Sequence, residues 1–541
     1  MAARTLQSVR IRMYCQGFGD CFLVTFVYDS DPEKVHMLFD FGVWKQTAIS
    51  LESIAADILK TTGGKLDVLV ITHEHKDHLS GFYKKMREAF YARHDDTAAD
   101  KLRFDRLWLA WTEDYENNPL AKELRQLYQK AHKALTDTNQ KLQGLSGMDD
   151  IRKLQEELLE LEDGGLEETD EPEASGQAEL GADETPNEAT ETPKKRRIPS
   201  NVAALDWLKK NARIVKYFKP GQRVNSIKEA MPEGLEGVQF FVLGPPEQLS
   251  HLKKNESAKS GDLYLNETFI ANDFSMGAVK MDGQFDNYFS WIDQTPFEDE
   301  YCCPARFEMD QQPDLRPAKD EGDPGWRTKQ LTDRMARLQE CEVYQNYFGL
   351  HKNPDSQQKL SPKRRIDYDW LRVSQSLALD LNSHTNNTSL VLAIEIDSTK
   401  QVLLFPGDAQ FGNWNSWFEN NYQWQFDKKE NEPKRTVTVE DLLERTIFYK
   451  VSHHGSHNAT PQDRGLKLMT RTDLVAMVPV SRETAKGNDW PIPYDKLTKA
   501  FDERPVTYVY SDSPGETRGN KDAKVFKAAE NGLYVDYEIS L

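Results

Sequence analysis

The chain is 541 residues long, with 38% hydrophobic and 29% charged residues and a formal net charge of −19, a length that accommodates two to four ordinary domains. No run of eighteen apolar residues occurs and the N-terminal MAARTLQSVRIRMYCQG carries no apolar signal core, so neither a membrane span nor export is expected and the cytoplasm is the expected location. The acidity is local: Glu156 to Glu191 holds fifteen Asp or Glu and no Lys or Arg, so −15 of the −19 lies there and −4 in the rest, which leaves nucleic-acid contact open for the body of the protein.

In chain order, residues 8 to 43 read as β structure. SVRIRMY alternates basic and apolar positions, and CFLVTFVY and VHMLFDFG are β-rich runs separated by the turn sequences GFGD and DSDPEK. AISLESIAADILKTT has helical spacing and is stopped by Gly63 and Gly64; KLDVLVIT then reads as a buried strand running into ITHEHKDHLSG. Residues 1–85 are thus the expected N-terminal half of a sheet domain. The five cysteines, Cys15, Cys21, Cys302, Cys303 and Cys341, form no C-x-x-C pair, which fits reduced thiols better than a disulfide framework.

Residues 86–237 change texture, with helical stretches AKELRQLYQKAHKALTDTNQKLQ and DDIRKLQEELLELE around one strand candidate, RFDRLWLAWT. This is an expected helical insertion, suited to packing, a protein partner or homo-oligomerisation rather than chemistry. Within it, about 164–200 has the composition of an acidic disordered linker and closes on KKRR. VQFFVLGPP resumes the strand texture at 238, and about 255–375 is a second, irregular insertion. TSLVLAIEI, KQVLLFPGD, RTIFYKVSHHGS, DLVAMVPVS and VTYVYSD then return as apolar strands. Residues 238–541 are accordingly the expected C-terminal half of the same α/β domain.

Three of the twelve histidines and an aspartate fall within six positions, His73-Glu74-His75-Lys76-Asp77-His78. A tight loop after a strand can aim His73 and His75 at one point and Asp77 with His78 at a neighbouring one. Imidazole and carboxylate are ligands of Zn, Mn or Fe. Two ions need further ligands, and later strand ends offer them: Asp408 in FPGDAQ, able to bridge, and His453 and His454 in VSHHGSHNAT, with His457 close behind. Trp414, Trp417 and Trp424 are candidate stacking platforms, although a three-residue spacing on one helical face favours core packing. KLSPKRRIDYDWL at 359–371 could track a phosphate backbone or cover the sheet.

In order, the motifs are Gly17-Phe18-Gly19-Asp20, Asp40-Phe41-Gly42, the histidine cluster, Asn386-Asn387-Thr388-Ser389-Leu390-Val391-Leu392, Gly407-Asp408 and His453-His454-Gly455-Ser456. In this the chain resembles the metallo-β-lactamase-fold hydrolases and, more closely, the soluble hydrolase domain of the ComEC competence proteins, over residues 10–85 and 238–515. The resemblance implies an αββα four-layer sandwich with two divalent ions (Zn or Mn, with Fe also compatible). His73 and His75 would hold one ion, Asp77 and His78 the other, and Asp408 would bridge. The final ligand would be His453, which directly follows its strand, or His454; Asp40 would support the metal loop from behind. The histidine usual in the family's third motif has no counterpart in TNNTS, where His384 is the nearest substitute.

The same resemblance implies a phosphodiesterase or nuclease acting on DNA or RNA through a water activated between the ions. Asp77 would orient that water, and Asn386, Asn387 and Ser389 would orient it or the substrate. Ser456, His457 and Asn458 are candidates to bind the scissile group or protonate the leaving oxygen. The alternatives are a small-molecule hydrolase of a lactone, thioester or cyclic nucleotide, and a non-catalytic partner subunit of a defence or repair complex, since a fold alone does not deliver a substrate.

Overall fold

The β-rich runs of the sequence become the strands of two large mixed sheets in the computed structural model, which describes residues 4–30, 34–45, 47–98, 100–142, 149–172, 195–254, 381–426, 434–488, 490–504, 506–520 and 525–541. The basic-aromatic stretch at 359–371 and the cysteines at 302, 303 and 341 lie outside them. The chain divides into two compact units, Met1–Asn139 with Leu154–Ala271 and Ala378–Leu541, and Gln140–Lys153 with Asn272–Leu377. Every strand and site residue below belongs to the first unit.

The strands are β1 (Leu6–Tyr14), β2 (Phe22–Tyr28), β3 (Lys34–Phe39), β4 (Lys65–Val70), β5 (Arg103–Ala110), β6 (Leu166–Pro172), β7 (Lys195–Pro199), β8 (Ile214–Phe218) and β9 (Val238–Gly244). After them come β10 (Val391–Ile396), β11 (Val402–Phe405), β12 (Gln423–Phe426), β13 (Arg435–Thr438), β14 (Thr446–Lys450), β15 (Val475–Val478), β16 (Thr507–Tyr510), β17 (Arg518–Gly519), β18 (Phe526–Ala528) and β19 (Tyr534–Ser540). The first sheet has the order β18-β19-β1-β2-β3-β4-β5-β8, antiparallel up to β3 and parallel from β3 to β8. The second has the order β17-β16-β15-β14-β11-β10-β9, parallel from β16 to β11 and antiparallel at both ends. The fold is therefore mixed α/β.

Period-two alternation explains why both faces of these strands are apolar. Phe22, Val24 and Phe26 of β2 and Val68 and Val70 of β4 share one apolar core with Leu392 and Ile394 of β10 and Leu403 and Phe405 of β11. Phe39 stacks on Phe405 across it, with ring centroids 4.3 Å apart. The alternate residues Leu23, Leu38 and Leu69 pack instead on Ile54, Ala55 and Ile58 of the helix Leu51–Thr62 and on Leu205 and Leu208 of the helix Ser200–Asn211. On the second sheet, Ala393, Leu404 and Tyr449 pack on Trp414, Trp417 and Leu442. The tryptophans are core residues, as their spacing suggests. The helix Leu51–Thr62 begins where the Ser50 side chain accepts from Ser53 N and ends at Gly63 in the left-handed region, φ 62.

Two outcomes concern the insertion. RFDRLWLAWT forms β5, and β5 and β8 extend the first sheet in parallel beside β4, so this segment contributes strands as well as helices. The flanks of the acidic stretch, β6 and β7, pair antiparallel, anchored where Arg87 meets Glu167 at 2.7 Å and Ser200 N donates to Gly165 O at 2.8 Å; residues 173–194 lie outside the described residues. Among the described residues, no helix is long and apolar enough to cross a membrane.

What positions the site is the parallel pairing. β3 and β4 are parallel neighbours in one sheet and β11 and β14 in the other. Asp40, the histidine loop, Asp408 and His453-His454 therefore all follow the carboxyl ends of parallel strands, the ends at which α/β sheets place ligands.

Candidate metal centre

The histidine loop is tied down before it reaches its first histidine. Thr72 donates to Asp40 twice, from its amide to Oδ1 and from its hydroxyl to Oδ2, both at 2.8 Å. The approach of neighbouring loops is close enough to need glycine: a Cβ at Gly42 would lie 2.5 Å from the carbonyl carbon of Asp77, and one at Gly407, φ 58, would lie 2.9 Å from Cβ of Thr72.

Four histidines then share one arrangement, in which the nitrogen facing away from the centre has a fixed partner. His78 Nδ1 is 2.9 Å from Asp40 Oδ2, His454 Nδ1 is 2.7 Å from Pro479 O, and His75 Nε2 is 2.8 Å from Glu162 Oε1. His73 Nδ1 is 3.0 Å from Thr72 Oγ1, whose own proton goes to Asp40. Carboxylates and carbonyls only accept, so the network assigns a proton to each of these outer nitrogens.

The inner nitrogens converge. His78 Nε2 and His454 Nε2 are each 3.2 Å from Asp408 Oδ2, and His454 Nε2 is 2.9 Å from Asp77 Oδ2. His73 Nε2 faces His75 Nδ1 at 3.0 Å, two lone pairs that need a proton or a cation between them. His78 Nε2, Asp77 Oδ1 and Asp20 Oδ1 are buried with no hydrogen-bond partner. Asp20, His78, Asp408 and His454, each 0 to 1% exposed, bring ligand atoms within 4.8 Å of one another. This group could hold a metal ion, and the chemistry of its donor set fits one.

The electrostatics point the same way. Lys450 Nζ pairs with Asp20 and lies 3.0 Å from Asp408 Oδ1 and 2.8 Å from Gly407 O, so its three donors meet three acceptors. Against this one ammonium stand five buried carboxylates, Asp20, Asp40, Asp77, Asp408 and Glu162; with neutral histidines the centre carries four net negative charges. That excess draws protons. Burial alone would depress His78, but Asp408, Asp77, Asp40 and Asp20 hold it well above the usual imidazole range. Burial likewise opposes His454, which Asp408 and Asp77 raise to about 10. Asp408 is held well below the carboxylate range, because Lys450, His454 and His78 outweigh its burial. Asp20 is pushed up to about 6, chiefly by burial. Divalent cations would meet the same demand for positive charge.

Of the two strand-end histidines, His454 reaches the carboxylates and His453 does not. Both have left-handed backbones, φ 45 and 54, and this turn brings the second ring, not the first, against Asp77 and Asp408. His453 is largely buried beside the centre, its ring 3.4 Å from Asn386 Nδ2 and 3.3 Å from Gln410 Nε2; burial pushes it down to about 4. Gln410 continues through Asn458 to Ser456, at 3.1 Å per link. Asn387 uses its amide inside the fold, donating to Leu252 O and accepting from the amides of Gln410 and Asn413, which makes it a bracket for the Asp408 loop rather than a group facing a substrate. Ser389 Oγ accepts from Asp408 N at 3.1 Å and lies 3.3 Å from His73 Nδ1. His457 stacks edge-on against Tyr494. His384 lies in the helical stretch 381–387 with Asn382 and Asn386, outside the group of converging ligand atoms.

Three residues that shape the centre had no role assigned from the sequence. Asp20 stands in a quoted motif, Lys450 sits in a strand run, and Glu162 is one acid among fifteen in its tract. The chain matches no protein family, no curated protein and no solved structure in the comparisons made.

Proposed function

We propose that the protein is a metal-dependent hydrolase with a dinuclear centre, built on an αββα sandwich of the metallo-β-lactamase type, and that it cleaves phosphodiesters in DNA or RNA. One observation carries the reading: four buried imidazoles with their outer nitrogens fixed turn two inner nitrogens, those of His78 and His454, toward Asp408 and Asp77, and the other two, those of His73 and His75, toward each other. The four net negative charges of the centre favour two divalent ions over one. His73 and His75 would hold the first ion, and Asp77, His78 and His454 the second, with Asp408 between them and Asp20 as a further ligand. Such ions supply Lewis acidity, activating water and neutralising charge that grows on the attacked group.

The remaining residues act around that chemistry. Asp40 and Glu162 hold His78 and His75 in their ligating tautomers. Lys450 occupies one oxygen of Asp20 and one of Asp408, leaving Asp20 Oδ1 without a partner and Asp408 Oδ2 facing His454. His453, neutral and partly exposed, can accept from one of the two amide donors beside its ring, Gln410 Nε2 or Asn386 Nδ2, and would hydrogen-bond a bound scissile group through the other ring nitrogen.

A hydrolase of a small lactone, thioester or cyclic nucleotide is the second reading, favoured by the near-complete burial of the ligands. The test is cleavage of labelled single- and double-stranded DNA and RNA with Mn²⁺, Zn²⁺ or Mg²⁺ added singly. Metal-dependent cleavage that drops at least 10³-fold in Asp408→Ala is expected; no cleavage by a chain that binds two ions would favour the small-molecule reading.

A further inference from the structure

We infer that Glu162, supplied by the helical insertion, is a positioning residue of the metal centre that fixes the ring of His75 so that Nδ1 faces the ion beside His73. This rests on the dinuclear reading above. Glu162 is 4% and His75 1% exposed, and every oxygen of the carboxylate is engaged. Oε1 takes His75 Nε2 at 2.8 Å, while Oε2 accepts from Tyr128 Oη at 2.8 Å and from Thr385 Oγ1 at 3.0 Å. The other group within hydrogen-bond range of His75 Nε2 among the described residues is Asn382 Nδ2, at 3.5 Å, a donor that cannot take the same proton.

The helix carrying Glu162, Asp149–Asp163, is fastened to the histidine loop by its last turn. Asn201 Nδ2 donates both to Glu162 O at 2.7 Å and to Glu74 O at 2.6 Å, and Lys76 of the loop pairs with Glu160. From the other insertion helix, Pro119–Leu142, Arg125 pairs with Glu74 while Tyr128 holds Glu162. A buried carboxylate needs donors, and any hydroxyl or amide would serve. Here the donor is the far nitrogen of a ligand histidine whose near nitrogen is 3.0 Å from a second ligand, the arrangement by which a carboxylate sets the tautomer and basicity of a metal-bound imidazole. In the dinuclear reading the first ion would have only His73, His75 and Asp408 as ligands, so the orientation of His75 matters more there than at the second ion, with its larger set. The insertion is therefore part of the centre and not a separable appendage.

The experiment is Co²⁺ binding to the metal-free full-length chain, followed by calorimetry and visible absorption. Wild type is expected to bind two ions. Glu162→Gln, which keeps the shape but not the charge, is expected to bind one ion as wild type does and the other about 10- to 100-fold more weakly, with an altered absorption band for that ion. Tyr128→Phe, which leaves the carboxylate but removes one of its donors, is expected to weaken the same ion about threefold to tenfold. Two ions bound to Glu162→Gln with wild-type affinities and spectrum would overturn the inference alone. Should that variant not fold, unchanged affinities in Tyr128→Phe would overturn it equally. A wild-type chain binding fewer than two ions would overturn the dinuclear reading, and the inference with it.

Discussion

The two halves of the centre are built differently. The first-sheet half places His73, His75, Asp77 and His78 on one short loop and backs its imidazoles with acceptors: Asp40 behind His78, Glu162 behind His75 and Thr72 behind His73. The second-sheet half gathers Asp408 and His454 from separate strand ends, backs its imidazole with a backbone carbonyl, and contains its own cation in Lys450. The first half is thus rich in negative charge and takes its one cation, Lys450 against Asp20, from the second, which is partly neutralised from within. It follows that the first half depends more heavily on what it binds.

The sharpest way to break this contrast is to remove the internal cation. Lys450→Met would leave Asp20 buried without its cation and Asp408 with its histidines alone, and the metal-free protein should lose about 3–5 kcal/mol of stability in urea unfolding, part of it recovered by Mn²⁺. An unchanged midpoint would mean that Lys450 does not balance those carboxylates. Next in size, Asp40→Asn weakens the acceptor behind His78 and should cost about 10- to 100-fold in affinity for one ion, read by calorimetric titration; equal affinity would deny the first half its dependence on backing carboxylates.

A histidine in neither half sharpens the comparison further. His36 of β3 is also buried, but its ring faces the Thr25 hydroxyl at 3.1 Å, and burial pushes it down to about 4. Its folded pKa lies below the unfolded value of about 6.5, so its contribution is complete above that pH and is lost as pH falls from there toward 4. At pH 5 this amounts to about 1–2 kcal/mol, measurable as a fall in unfolding free energy between pH 7 and pH 5 that His36→Gln removes. A fall of the same size in the variant would assign the pH dependence elsewhere.

Much of the first half was legible because it is contiguous: four donor side chains in six positions leave little other reading. The strand runs were legible for the same local reason, since apolar alternation marks β2, β4, β10 and β11 directly. What escaped the sequence depends on distance or on backbone geometry. β19 joins the first sheet by pairing with β1, at the opposite end of the chain. Lys450 falls within an apolar strand and reads as an ordinary strand residue until Asp20 and Asp408 are seen around it. Glu162 cannot be told from its acidic neighbours, because its role comes from the last turn of one helix meeting a loop far away in sequence. The choice between His453 and His454 turned on two successive left-handed residues, which no spacing rule anticipates. Asn387 illustrates the converse: a polar residue in a functional-looking motif can be consumed by the loops it braces.

The most direct test of the account is the metal content of the chain itself, measured by calorimetric titration of metal-free protein with Mn²⁺ and Zn²⁺ at neutral pH, with elemental analysis of the product. The account predicts about two ions per wild-type chain and a loss of at least one in Asp408→Ala, since that carboxylate lies against His78 and His454 and would bridge both ions. A wild-type chain that binds none, or an Asp408→Ala chain that binds as wild type does, would contradict it.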